Sequence, residues 1–365
     1  MDEDSFREKL LSAHVKTVHT CPEEAGPGPY TPLNISVLFP GEKVTFNLYL
    51  KVAQKEYRGF DFFPFLKKGE AWERRWRERL IDKGIDRLYF HKDNLEQTIA
   101  YLNNYLQILK HQSKKISPAL LSVFSEHLNF SVRRALQLPR LGPAMKEAKT
   151  QVENLIGWVQ QDPGAIKLMW KILYHDYSLY NHSLNLCLMG VAFLLHLKYS
   201  ATECRDLGVA ALFHDIGMIR IPQEIILKAG PLTSEEKAEI RTHPEKGHQM
   251  LRKKAGEVLS SIPQEVLRLA LEHHENADGS GYPKGLPLSR QHPWTPIVRL
   301  LDSYDSLTVH RPYREAFRPY DSLKILIPSC HLMSNMVDCP KNFQGGSHGK
   351  SYQVHRPPFQ GGDSG

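Results

Sequence analysis

The chain has 365 residues, 41% of them hydrophobic and 24% charged, and carries a formal net charge of +7. That length and apolar content exclude a disordered chain, supply a sizeable core and make two domains the expectation. The cysteines, Cys21, Cys187, Cys204, Cys330 and Cys339, are odd in number and form no C-x-x-C pair, which excludes a zinc ribbon or thioredoxin-type site and fits reduced thiols in the cytoplasm.

The N-terminus MDEDSFREKL is acidic and lacks the apolar segment of a signal peptide, and residues 1–30, with CPEEAGPGPY, read as a flexible leader. LNISVLF and the alternating Val44, Phe46, Leu48 and Leu50 predict the two strands of a β-hairpin around FPGEK. AWERRWRERLIDKG predicts a helix closed by Gly84. The strand IDRLYF follows, then an amphipathic helix with Leu95, Ile99, Leu102 and Leu106 on one face. Residues 31–112 thus read as a small α+β module of regulatory type. The mixed charges of ERRWRER fit a solvated helix face better than a phosphate-binding strip.

HQSKKISP begins a helical linker region over 113–159, ahead of a helical domain over 160–326. From Ser117 onward a 3.6-residue period predicts helices over 117–138, 143–160, 164–173, 181–198, 203–214, 234–254, 263–274 and 296–309. The apolar stretch Leu184 to Leu197 is interrupted by His196 and falls short of the ~20 residues a bilayer span requires. The fold class is therefore mainly α: an all-helical domain preceded by a small α+β domain, with no membrane span and no nucleic-acid partner expected. Residues 327–365 are rich in Gly, Pro, Ser and His without apolar period and read as a disordered or aberrant tail.

The chemistry lies in the helical half. His214 and Asp215 in LFHDIGM put an imidazole and a carboxylate at one helix end, His243 follows in RTHPEKG, and His273 and His274 form a second adjacent pair. His182 and Asp302 sit inside apolar helical stretches, where such groups are costly unless ligated or paired. One such pair alone would read as a core histidine with a capping aspartate, but the repetition favours metal ligation. Imidazole-rich ligation suits iron, manganese or zinc better than magnesium. Two such ions would be clamped by a bridging carboxylate, and the chemistry expected is phosphoester hydrolysis.

HSLNL, HDIG, ILKAGPLTSEE, THPEKG, HHENADGSGYPKGLPL, RLLDSYDSLT and HRPYREAF follow one another as in the HD-GYP domain, a branch of the HD phosphohydrolase superfamily, which the chain resembles over about residues 160–326. The resemblance implies a phosphodiesterase that hydrolyses the bacterial second messenger cyclic di-GMP to pGpG and GMP through a metal-bridging hydroxide. It implies one metal held by His182, His214, Asp215 and Asp302, and another by His243, His273 and His274 with Asp215 bridging; His214 and Asp215 would be the catalytic pair. Gly281, Tyr282 and Pro283 match the signature loop. By resemblance that loop is a docking surface for GGDEF-type diguanylate cyclases, and a homodimer is a candidate assembly. Arg314 with Tyr313, and Arg311, are the candidate substrate contacts, since a guanidinium fork matches phosphate or a guanine edge.

The sequence departs from the family pattern at three positions. Met218 stands where HDIGK has a lysine, removing a donor whose loss can cost about 100-fold or more in rate, unless a neighbour such as Arg220 supplies the charge. Ser178 stands where trinuclear members carry a glutamate, which favours a binuclear site. Asn276 stands where an arginine often follows HHE. The other reading these departures leave is a cyclic-di-GMP receptor or scaffold that has lost turnover.

Overall fold

A computed structural model describes residues 3–12, 28–53, 60–112, 116–137, 141–173, 179–226, 228, 230–255, 262–309 and 316–331. The leader begins with a helix, α1 (Glu3–Ser12), which its turn-rich context did not predict. Arg7 fixes α1 to the domain behind it by donating from Nε to the Phe65 carbonyl and from Nη2 to Glu70, while Leu11 is buried.

The N-terminal domain holds β1 (Tyr30–Asn34), β2 (Leu48–Ala53), β3 (Phe60–Leu66), α2 (Arg74–Asp82), β4 (Arg87–His91) and α3 (Leu95–Gln112). The strands form one antiparallel sheet in the order β1-β4-β2-β3. The expected hairpin of LNISVLF with VTFNLYL is absent: β1 pairs with β4, and β2 pairs with β3 and β4. Asn34 ends β1 by accepting from the Ser36 amide at 2.9 Å, which caps a 3-10 turn over Ile35–Val37. The chain after it pairs with residues 69–72 instead, through Gly41 N to Trp72 O, Trp72 N to Glu42 O and Val44 N to Glu70 O. On α2, Trp76 and Leu80 are buried, whereas Arg75 and Arg79 pair with Asp4 and Glu8 of α1.

The helical part comprises α4 (Pro118–Gln137), α5 (Gly142–Gln161), α6 (Gly164–Leu173), α7 (Leu179–His196), α8 (Ala201–Phe213), α9 (Gln223–Ile226), α10 (Ser234–Ile240), α11 (His243–Ala255), α12 (Gln264–Glu272), α13 (Thr295–Thr308) and α14 (Pro319–His331). The single helix expected over 234–254 is two. Thr233 opens α10 with a capping box, and the chain turns at Arg241–Thr242 before α11 starts with Pro244 in its first turn, where a missing N–H costs nothing. Helix α14 continues to His331, past residue 326, and packs on α13. Residues 332–365 lie outside the described residues.

Helices α7 and α8 form the centre of this part, with α5, α12 and α13 against them. The apolar core runs unbroken from the sheet into these helices; Phe90 of β4 meets Phe130 of α4 edge-on at 5.3 Å. Among the described residues no helix is long and apolar enough to cross a membrane.

Candidate metal centre

Five helices aim their ionisable residues at one point. Helix α7 carries His182, and His214 caps α8. Asp215 opens the 3-10 turn Ile216–Arg220, His243 is the first residue of α11, His273 and His274 leave the end of α12, and Asp302 lies on α13. Asp215 stands at the middle. Its Oδ1 is 3.1 Å from His243 Nε2 and 3.3 Å from His273 Nε2, while its Oδ2 is 3.5 Å from His214 Nε2 and 3.8 Å from His182 Nε2.

Two donor sets capable of holding a metal therefore share this carboxylate: Asp215, His243, His273 and His274 on one side, and His182, His214 and Asp215 on the other. Asp302 joins neither set within the 4.8 Å mutual span of the other donors. It links them, with Oδ1 3.2 Å from His182 Nε2 and Oδ2 3.7 Å from His274 Nδ1.

The ring orientations follow from the backbone. Nδ1 of His214, His243 and His273 lies 2.7, 2.7 and 2.9 Å from the carbonyls of Ala211, Ile240 and Leu269. A carbonyl only accepts, so each Nδ1 carries the proton, and in the neutral ring each Nε2 presents a lone pair to the centre. Two consequences show that the residues fit a cation. His243 Nε2 and His273 Nε2 face each other at 3.0 Å as two acceptors, and His214 Nε2 is buried with no hydrogen-bond partner. Both arrangements are costly in a dry interior, and an ion with nitrogen affinity bound between them removes the cost.

Without a cation the groups divide: Asp215, Asp302, His214 and His274 are shifted toward the forms that ligate a metal, whereas His182 and His243 are raised, once burial is overcome, by the carboxylates they face. Burial alone would raise Asp215, but His214, then His243 and His273, hold its carboxyl well below the ordinary range. Burial is likewise outweighed at Asp302, chiefly by His182, and its carboxyl is held low. Burial pushes His214 down to about 4, and burial followed by the charge of His273 pushes His274 well down. For His182 burial is overcome by Asp302 and Asp305, which raise it.

Two glycines set the distances. A Cβ on Gly217 would lie 1.9 Å from the His243 carbonyl oxygen and 2.6 Å from Gly247 N, so only glycine lets the turn after Asp215 lie flat on α11. A Cβ on Gly281 would lie 2.3 Å from Asn276 N, which presses the following Tyr282 and Pro283 against the end of α12. Tyr282 stacks on His274 with ring centroids 4.8 Å apart, and its amide donates to the His274 carbonyl at 3.2 Å. Met218 is half-buried in the 3-10 turn and Arg220 is exposed at its end. Arg311, Tyr313 and Arg314 lie outside the described residues.

Sequence reasoning missed the groups behind the cluster. Asp305 holds His182 Nδ1 at 2.7 Å and accepts from Asn185 Nδ2 at 2.8 Å. Glu275, 1% exposed, accepts from the amides of Lys284 and Leu286 at 2.7 and 2.9 Å and so anchors the loop that carries Tyr282. A signal existed for both: Asp305 is a second carboxylate three residues after Asp302 on an apolar helix, and Glu275 directly follows the histidine pair.

Comparison with known proteins agrees with this architecture. Residues 180–329 match the family described as the HD domain. A cyclic di-GMP phosphodiesterase of Pseudomonas aeruginosa is 29% identical over 187 residues, covering 51% of this chain and 44% of that protein. A cyclic di-GMP phosphodiesterase response regulator of Xanthomonas campestris is 40% identical over 126 residues, covering 33% of this chain and 31% of that protein. The chain thus spans less than half the length of either relative. Among solved structures, an HDG"Y"P protein from Bdellovibrio bacteriovorus shares the fold, with a TM-score of 0.62 at 19% identity over 85% of this chain and 98% of that one.

Proposed function

We propose, from the HD domain that residues 180–329 match and the relatives it resembles, that the chain is an HD-GYP domain protein and a metal-dependent phosphodiesterase that hydrolyses cyclic di-GMP to pGpG and GMP. The observation that carries the reading is the position of Asp215, one oxygen toward His243 and His273 and the other toward His214 and His182. Two divalent cations, iron or manganese ahead of zinc, would be held by His182, His214, Asp215 and Asp302 and by Asp215, His243, His273 and His274; they would lower the pKa of water and neutralise phosphoryl charge.

The chain's own residues do the rest. Asp215 stays ionised between four imidazoles and holds both sets in register. Asp305 and the three backbone carbonyls fix the rings, so the donors are preorganised. Tyr282, stacked on His274, forms a wall of the site against which a substrate can be oriented. Arg314, Tyr313 and Arg311 complete the proposal as substrate contacts, the loop Gly281–Tyr282–Pro283 as a contact for GGDEF-type cyclases, and a homodimer in the cytoplasm as the working assembly.

The test is turnover of cyclic di-GMP by protein purified without oxygen and loaded with iron or manganese, with metal content measured on the same samples and Asp215→Ala as control. Product from the parent and none from the control is expected. A folded, two-metal parent that binds cyclic di-GMP without forming product would overturn the enzyme and leave a receptor, the reading that Met218 favours.

A further inference from the structure

Resting on the phosphodiesterase reading, we propose that Arg299 is a substrate-phosphate contact of this site, supplying from α13 a cation that Met218 does not. The charge inventory motivates it. Asp215, Asp302 and Asp305 are clustered at the centre, and the turn that follows Asp215 carries a thioether at Met218, with its one cation, Arg220, exposed at the far end. A phosphodiester gains negative charge as it reacts and is stabilised by fixed donors aimed at it.

Arg299 meets the geometric requirements. It lies one turn before Asp302 on the same helix, its Nη1 3.4 Å from Asp302 Oδ2 and 3.1 Å from Ser303 Oγ. Its Nε donates to Asn276 Oδ1 at 3.2 Å, so the guanidinium is tied at one edge to the segment that leads into the Tyr282 loop. The side chain keeps 31% of its exposure, whereas Asp302 beside it keeps 8%. The guanidinium therefore sits at the mouth of the centre, within reach of a ligand, and Nη2 donates to no described residue. A fork with a free edge can take a phosphate oxygen without giving up its anchors.

The surroundings of Tyr282 agree. Burial, then Asp215 and Asp302, push its hydroxyl up, and Arg299 and Arg241 act in the opposite sense. Arg241 lies over the Tyr282 ring at 5.4 Å. The loop side of the centre is thus cationic and its floor anionic, the polarity that presents a phosphodiester to metals on the floor. Asn276 gains a role here: its side-chain Oδ1 is the acceptor that aims Arg299.

The test compares Arg299→Met and Arg299→Lys with the parent, all metal-loaded. It uses KM and kcat for cyclic di-GMP, calorimetric affinity for a phosphorothioate cyclic di-GMP analogue, and metal content. Arg299→Met should weaken analogue binding and raise KM about tenfold or more with metal content unchanged, and Arg299→Lys should recover part of the loss because it restores charge but not the fork. Unchanged analogue affinity overturns the inference, and so does a loss that follows falling metal content, the mark of a residue that only positions Asp302. If the parent turns over no cyclic di-GMP, the activity reading fails by itself and analogue binding still decides for or against Arg299. Should Arg299→Met not fold, Asn276→Ala keeps the charge and removes its anchor. A several-fold loss of analogue affinity is then expected, and none overturns the assignment.

Discussion

Asp305 is bound at both oxygens inside the protein, Oδ2 to His182 Nδ1 at 2.7 Å and Oδ1 to Asn185 Nδ2 at 2.8 Å, with its side chain 1% exposed. It therefore fixes the direction of the His182 ring while its charge makes the opposite nitrogen a stronger donor. Asp305→Asn preserves the shape and removes the charge. Metal affinity should fall about 10- to 100-fold, as loss of a carboxylate behind a ligating histidine typically costs. Chelator competition on a variant with unchanged circular dichroism measures this, and equal affinity would show that the carboxylate is structural only.

Gly217→Ala should act on the whole centre. The added methyl cannot coexist with the His243 carbonyl at 1.9 Å, and that oxygen belongs to backbone. The turn must lift away from α11, separating Asp215 from His243. A stability loss of about 3 kcal/mol is expected, at the upper end for overpacking, together with loss of the second donor set. Urea unfolding and metal content check the two separately; a variant that keeps both would mean the backbone yields more easily than this contact implies.

His127 gives a pH signature remote from the metals. It is 2% exposed, and burial, then the charges of Arg134 and Lys110, push it down to about 4. Glu147, 3.6 Å from its Nε2, is already engaged by Arg134 and by Ser131. The unfolded chain takes up a proton at His127 near its ordinary pKa of about 6.5, and the folded chain does not until about 4. The stability present above about pH 6.5 is therefore lost progressively as the pH falls toward 4, by about 3 kcal/mol from this residue. Urea unfolding of metal-free protein across that interval should show a shallower acid decline for His127→Gln than for the parent. Parallel curves would mean that His127 protonates freely in the fold.

The helices were legible in the sequence because their cores are built from residues three and four apart. The predicted 164–173 coincides with α6, and most other ends agree within two residues. The metal residues stood out because imidazoles and carboxylates interrupt apolar helices. Strand partners did not, since Tyr30 meets His91 across most of the N-terminal domain and no local pattern encodes that pairing. Helix α1 was hidden for a related reason: what holds it is Arg7 on Glu70, a contact between distant segments. The bond from Arg299 to Asn276 needs two elements to be folded together before either residue acquires a meaning.

Helix α4 joins the sheet to the metal helices through neighbouring residues. Phe130 enters the sheet's core against Phe90, and Asn129 donates to Asn181, the residue before His182. The portion of the chain that resembles its relatives and the portion that can stand alone in water are therefore of different lengths. A fragment cut at residue 160 would keep the seven central residues but strip α4 and α5 from the helices that carry them, laying bare the face of α8 around Gly208 that Val152 of α5 covers. The smallest autonomous unit extends upstream into the segment that first reads as a linker.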